Sequence, residues 1–395
     1  MYPESGDQFN FFLPPYVVFG RGTRSTIPEY TRRLGMERVL LVVDPFFVET
    51  EYFAEVQGKL EEAGIVVTSW SGVVPDPTDV SVDDAVKIYK DAGCDGVICI
   101  GGGSGMDTGK SAAVVIGSGS QSIREHTDPT NRSVDGMAPV ICVPTTSGTG
   151  AEVNPYSMVT NTETGRKGIG YPAWELLSAQ RVAIVDPDLT ASMPPKLTAI
   201  TGMDALCQAL ECYITKTPNP VSDDLALRAI YLIVHNLRRA VDNGQDMKAR
   251  VNMSLAAMLA TVAFPNAGLS YPHALSEPMA DAYQLPHGVA VGSVLAATLE
   301  VLLPFRIERL AEVAKLLGVP SEGRSKREIA EGGIKEIQQL LQDVRFPTLS
   351  EATGGAEVVD IDAFLEDLAE KKPHLVATPD DRERVRTILK RSLEF

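Results

Sequence analysis

A chain of 395 residues exceeds the usual size of one domain and predicts two. With 44% hydrophobic and 22% charged residues, it has the composition of an ordinary globular protein with enough apolar mass for real cores. A formal net charge of -16, spread along the chain with no basic stripe, repels phosphate backbones and argues against nucleic acid as a partner.

The opening residues, MYPESGDQFNFF, carry acids and lack the positive-then-apolar pattern of a secretory signal. Residues 38–43 (RVLLVV) predict a buried strand ending at Asp44. Residues 65–70 predict a second strand and 96–100 (GVICI) a third. Between these last two, 81–92 predicts a helix with Ser81 as N-cap and Asp83 and Asp84 in its first turn. Residues 140–143 and 182–185 add two short strands. Strands alternating with helices imply a mostly parallel sheet covered on both faces, with ligands at the carboxyl ends of the strands.

After Pro187 the pattern changes. Pro194 and Pro195 open a region with almost no strand-like runs, and helical periodicity covers 196–214, 222–240, 247–263, 289–303, 307–317, 326–342 and 381–392. The expected division is an α/β domain over 1–190 followed by an all-α domain over 191–395. The longest apolar stretch, 288–305, is interrupted by Glu300 and Pro304 and is read as a buried helix rather than a membrane span, so no membrane partner is expected. Five cysteines, Cys94, Cys99, Cys142, Cys207 and Cys212, form no CxxC pair and have apolar neighbours, which suits reduced thiols in the cytoplasm.

The third strand runs into Gly101-Gly102-Gly103-Ser104-Gly105 and then Met106-Asp107-Thr108-Gly109-Lys110. Successive glycines let backbone N–H groups approach a pyrophosphate, and the following helix adds its N-terminal dipole. The loop misses a Rossmann GxGxxG at Met106 and a Walker A loop at Ser104. Taken alone, the loop is weak evidence, because a strand-to-helix turn with no ligand is the lesser alternative reading of the same glycines. Asp44, at the end of the first strand, suits a carboxylate that accepts hydrogen bonds from ribose hydroxyls and repels a 2′-phosphate, favouring NAD(H) over NADP(H); the plain alternative is a turn cap before Pro45.

The wider pattern resembles one family. PDPT (75–78), GGGSGMDTGK (101–110), VPTTSGTGAEV (143–153), VAIVDPDLT (182–190), TGMDAL (201–206) and LPHG (285–288) look like the ordered signatures of the iron-containing, group III alcohol dehydrogenases, within the dehydroquinate synthase-like superfamily. The resemblance implies a Rossmann-like N-terminal domain that binds NAD(H), an all-helical metal-binding domain, a site between them, and a homodimer or larger homo-oligomer. Carried over by position, Gly102, Gly103, Ser104 and Asp107 meet the pyrophosphate and nicotinamide side. Thr145, Thr146 and Thr149 line the adenine and pyrophosphate region, and Lys167 reaches the ribose. Asp76 stands where relatives commonly have asparagine.

The same resemblance implies a divalent ion, iron or zinc, at Asp204, Gln208, His273 and His287. Asp204 and Gln208 are four apart on a predicted helix and share a face. Gln208 replaces the third imidazole of the family pattern, and its neutral carbonyl oxygen is a weaker ligand. The remaining Asp, His and His still make a sufficient catalytic set. Glu277 stands where many relatives have histidine, open to coordinating the ion, relaying a proton or meeting a cationic group on the substrate. His126, His235 and His374 have no ligand-spaced partners and are read as surface or packing residues. The implied reaction is hydride transfer between a small alcohol and NAD, or aldehyde reduction with NADH. A polyol dehydrogenase, a hydroxyacid–oxoacid transhydrogenase and a nucleotide-binding paralogue with an impaired metal site are the alternatives.

Overall fold

A computed structural model describes residues 9–13, 15–127, 134, 136–165, 167–170, 181–215, 217 and 219–394; residues 1–8, read above for a secretory signal, lie outside these. Contacts divide the chain into one compact unit of Phe12–Ser192 and another that holds Met193–Phe395.

The first unit is built on a six-stranded sheet of β1 (Tyr16–Phe19), β2 (Arg38–Val43), β3 (Val66–Trp70), β4 (Gly96–Gly101), β5 (Val140–Pro144) and β8 (Arg181–Val185), in the order β1-β8-β5-β4-β2-β3. All its pairings are parallel. Side chains alternate between the two faces. Leu40, Val42, Val97, Cys99 and Cys142 pack into one apolar cluster, and Val39, Leu41, Val43, Ile98, Ile100 and Ile141 into another. Burial on both sides explains why these strands read as unbroken hydrophobic runs. The strand order reverses direction between β2 and β4, and at such a switch point the loops leaving the carboxyl ends open a crevice.

The structure departs from the expected elements in three places. The helix predicted over 81–92 is Asp79–Ala92, and its N-cap is Thr78, not Ser81. Thr78 Oγ1 accepts the Ser81 N–H at 3.1 Å while Ser81 Oγ accepts the Thr78 N–H at 3.1 Å, a reciprocal capping box. Ser81 signalled a helix start correctly but serves as the third residue of the turn. Strand β1 and the two-stranded hairpin β6 (Ser157–Thr160) and β7 (Lys167–Gly170) were not expected.

The second unit is helical. Pro195–Tyr213, Pro220–Asp242 and Met247–Ala267 pack around a core that includes Met203, Leu206, Leu210, Ile230, Ile233, Leu237 and Met253. Helices Tyr271–Tyr283, Ile361–Lys371 and Pro379–Glu394 share a second core around Leu275, Met279, Leu365, Leu368 and Ile388. The helix expected over 289–303 is two: His287–Ser293 and Leu295–Leu302 meet at Val294. The stretch His287–Phe305 is long and apolar enough to cross a bilayer, yet 61% of its apolar window is buried inside the protein, which makes it a core element.

The glycine loop depends on close packing of its helix, Gly103–Ser118, against β4. A Cβ added at Gly109 would stand 2.6 Å from Cys99 Cβ, closer than real carbon contacts. Gly109→Ala is expected to destabilise the protein by about 1–3 kcal/mol from overpacking, offset in part by ~1 kcal/mol of helix propensity. Urea unfolding checks this, and a stabilised variant would show that the helix is not clamped there.

Candidate active site

Of the residues expected to meet a dinucleotide, Asp44, Gly102, Gly103, Thr145, Thr146 and Thr149 lie together at the switch point. Asp44 ends β2 and its N–H donates to Ile100 O at 2.9 Å. A Cβ at Gly101 would lie 3.0 Å from Asp44 Cβ, one at Gly102 3.3 Å from Thr146 Cγ2, and one at Gly103 2.9 Å from Thr149 Cγ2. Thr145 N–H donates to Gly101 O at 2.8 Å. The glycines are therefore walled by Asp44 on one side and the 145–149 segment on the other, leaving no room for side chains. Helix Gly103–Ser118 starts at this wall with no side-chain cap and no acid in its first turn, so its N-terminal N–H groups and positive end suit an anionic pyrophosphate. Ser104 lies in that first turn. Asp44 also acts as the cap foreseen in the plain reading, accepting the Phe46 N–H at 3.0 Å.

Asp107 and Lys110 have structural duties. Asp107 accepts the Met158 N–H at 3.0 Å and pairs with Lys110 at 3.1 Å. Lys110 is buried, and its Nζ donates to Ala151 O at 2.8 Å, Asn154 Oδ1 at 3.1 Å and Tyr156 O. An ammonium so engaged is not free for a phosphate, which removes the Walker A reading. Lys167 and Asp76 form an ion pair at 2.7 Å, and Asp76 sits in the left-handed region at φ 52. Aspartate, like asparagine, adopts that conformation more readily than most residues.

In the helical unit, three donors remote in sequence come together. Oxygen or nitrogen atoms of Asp204, His273 and His287 all lie within 4.8 Å of one another. His273 Nε2 is 3.3 Å from Asp204 Oδ1, and His287 Nε2 is 3.8 Å from the same oxygen. Asp204 Oδ1 and His273 Nε2 are buried and have no hydrogen-bond partner, although each faces the other. Buried polar atoms left unpartnered are costly, and a divalent cation between them satisfies both, so the residues fit the implied ion. Asp204 is buried, His273 nearly so, and His287 is 45% exposed, so the donor set opens at His287.

The chain path explains the convergence. Helix Tyr271–Tyr283 carries His273 in its first turn and ends at Gln284, whose left-handed backbone (φ 53) turns the chain so that His287 begins the next helix. Burial alone would push the Asp204 carboxyl up, but His273, His287 and the Gln208 amide hold it below the usual carboxylate range. Burial would lower the His273 imidazole, yet Glu211 and Asp204 overcome it and push it up to about 10.

Gln208 and Glu277 stand differently. Gln208 lies beside Asp204, but its carbonyl oxygen accepts from Thr261 Oγ1 at 2.9 Å, directing the group expected to ligate onto the protein. Glu277 is outside the three-residue donor set and pairs with Lys372 at 2.6 Å. Sequence reasoning missed Glu211, whose carboxylate accepts from His273 Nδ1. Its signal was present: 204, 208 and 211 follow the 4-3 spacing of one helix face. His126 is buried against Ser118 and Ser120, and His235 Nδ1 contacts its own helix at Tyr231 O.

Residues 14–187 match the family model described as iron-containing alcohol dehydrogenase, and residues 198–393 match that of the Fe-containing alcohol dehydrogenase family, C-terminal. The chain belongs to the iron-containing alcohol dehydrogenase family. It is 34% identical to the NAD-dependent methanol dehydrogenase of Bacillus methanolicus over 376 residues, covering 94% of this chain and 97% of that one. Among solved structures, a 1,3-propanediol oxidoreductase superposes with a TM-score of 0.89 at 33% identity, covering 98% of this chain and 100% of that one. The sulfoacetaldehyde reductase from Bifidobacterium kashiwanohense, solved in complex with NAD+, gives 0.86 at 28% identity, covering 98% and 99%. This iron-containing alcohol dehydrogenase is thus an NAD-linked oxidoreductase with a divalent metal as its second cofactor, and its Rossmann-like and all-helical halves are those of the family.

A proton on His273 must leave before its ring nitrogen can ligate. With that group at about 10, cation binding at neutral pH is expected to release about one proton per site and to weaken as pH falls. Calorimetry in buffers of different ionisation enthalpy reads the release, and binding without it would mean that His273 is neutral in the free protein. Because the folded value lies above the ordinary one near ~6.5, this contact stabilises the cation-free fold fully below that pH and is lost as pH rises through about 10.

Proposed function

We propose that the chain oxidises a small primary or functionalised alcohol with NAD, and reduces the matching aldehyde with NADH, using Asp204, His273 and His287 to hold the divalent ion. The observation that carries this reading is the convergence of those three donors, each from a different helix, within 4.8 Å of one another. The bound ion supplies Lewis acidity at an alcohol oxygen, and NAD supplies the hydride-accepting carbon.

The chain's own groups do the rest. Asp204 contributes the one anionic donor and the two imidazoles contribute neutral ones, a mixed O/N set that suits iron(II) or zinc. The exposed edge at His287 admits the substrate. Gln208 steadies Asp204 in place of ligating. Glu277, neutralised by Lys372 one helical turn from His273, shapes the charge near the substrate without coordinating. In the α/β unit, Gly102, Gly103 and Ser104 present backbone N–H groups to the pyrophosphate. Thr145, Thr146 and Thr149 form the opposite wall. Asp107, which accepts the Met158 N–H, meets the pyrophosphate and nicotinamide side, while Lys167, held by Asp76, serves the ribose. Asp44 selects NAD over NADP by accepting ribose hydroxyls and repelling a 2′-phosphate.

The protein is proposed to work in the cytoplasm, where its five cysteines, all unpaired, stay reduced. A homodimer or larger homo-oligomer completes the reading. Support comes from exposed Leu13 and Tyr16 beside edge strand β1, and sedimentation velocity measures the state.

A screen of small alcohols and aldehydes with NAD(H), run with zinc, ferrous iron and chelator in parallel, tests the activity. NADH is expected to accumulate with an alcohol in the absence of any oxoacid; strict dependence on an oxoacid would favour a transhydrogenase. His287→Ala is expected to abolish turnover and leave NADH binding within about twofold, and loss of both would contradict the separate roles. Gln208→His is expected to raise metal affinity by about tenfold or more, measured by chelator competition. Unchanged affinity would mean that position 208 does not reach the ion.

A further inference from the structure

We propose that Glu211 is a positioning residue of the cation centre: its buried carboxylate fixes the tautomer and orientation of His273, leaving the ring's other nitrogen free to ligate. The inference rests on the cation site described above and adds a residue that lies outside the six motifs quoted from the sequence.

Glu211 is completely buried, on the same face of Pro195–Tyr213 as Asp204. Its two oxygens receive three donors. Oε1 accepts from His273 Nδ1, and Oε2 accepts the Ser270 N–H at 2.7 Å and the His273 N–H at 3.4 Å. Ser270 is the N-cap of Tyr271–Tyr283 and its own side chain makes no capping bond. A carboxylate from a neighbouring helix therefore caps the helix that carries His273 and also grips its ring. Once cation binding takes the proton from Nε2, the remaining ring proton stays on Nδ1, donated to Glu211, and the Nε2 lone pair is directed to the cation beside Asp204 Oδ1, 3.3 Å away. Glu211 is not itself a ligand, since both its oxygens are spent on these donors.

The geometry separates positioning from simple packing, because a glutamine of the same shape cannot reproduce it. If the amide oxygen of a Glu211→Gln variant faced Nδ1–H, its NH2 would meet the Ser270 and His273 N–H groups, donor against donor. Turned round, the NH2 would donate to Nδ1, the ring proton would move to Nε2, and the ligating lone pair would be lost. Removing such a partner of a metal-ligating histidine typically costs about 10–100-fold in metal affinity.

The test titrates Co2+ into metal-free, full-length wild type, Glu211→Gln and His287→Ala, following visible absorption and, separately, NADH binding. Glu211→Gln is expected to bind Co2+ about 10–100-fold more weakly with an altered spectrum, and NADH as the wild type does. Wild-type affinity and spectrum in Glu211→Gln, with Co2+ binding lost in His287→Ala, would overturn the positioning role and leave the cation site standing. Wild type that takes up no stoichiometric Co2+, or takes it up regardless of His287→Ala, would remove the site and this inference with it. Should Glu211→Gln fail to fold, 15N spectra of the zinc-loaded wild type decide. With five histidines in the chain, the His273 ring is expected to carry its proton on Nδ1 with Nε2 ligated, and a proton on Nε2 overturns the proposal.

Discussion

Two carboxylates buried on one helix, Asp204 and Glu211, bracket a single imidazole, and the arrangement of the helical unit follows from how their charge is met. Moving an ion out of water costs several kcal/mol unless hydrogen bonds or an opposite charge replace the lost hydration. Glu211 is met by three N–H donors at the start of Tyr271–Tyr283, which fixes where that helix begins and where His273 points. Asp204 is met only in part. One of its oxygens faces His273 Nε2 with no hydrogen bond made, a mismatch that a divalent cation resolves. The site is therefore a place where the fold holds charge in readiness, and its depth in the core keeps that geometry rigid.

The dinucleotide region relies on a different constraint, the absence of side chains. An added carbon at Gly103 would collide with Thr149, and ones at Gly101 and Gly102 would crowd Asp44 and Thr146, so the segment is suited to bringing backbone close to whatever lies in the crevice. The two near-miss motifs become intelligible here. Met106, which spoils the Rossmann fingerprint, is buried in the apolar cluster on one face of the sheet, and Lys110, which suggested a P-loop, turns inward to tie Ala151, Asn154 and Tyr156 beneath the threonine wall. The lysine holds the loop's neighbour in place, a structural use of a residue type more familiar as a phosphate ligand.

The two departures from the family pattern, Gln208 and Glu277, leave the three-donor set intact. Gln208 keeps its position beside Asp204, but with Thr261 holding its oxygen it behaves as a brace. Glu277 would add a second negative charge next to the ion if free; Lys372, at the end of Ile361–Lys371, offsets it. On the proposed reading, both adjustments leave one anionic ligand, which would preserve the electrophilic character of a bound ion.

Much was determined by the amino-acid order alone. Apolar runs on β2, β4 and β5 dictated a sheet buried on both faces, and the prolines after 187 marked the change to helices, because periodicity and proline geometry are local properties. The six ordered motifs named the family, and within them Asp204, His273 and His287 were legible as donors. Tertiary structure alone decided what depends on partners distant in the chain. It turned the Gln208 oxygen to Thr261, gave Glu277 to Lys372 and set Glu211 against His273. The physical reason is common to these cases. A side chain's position along a helix fixes the face it occupies, but the group it meets is supplied by another segment, and a hydrogen bond or ion pair exists only once that segment has packed.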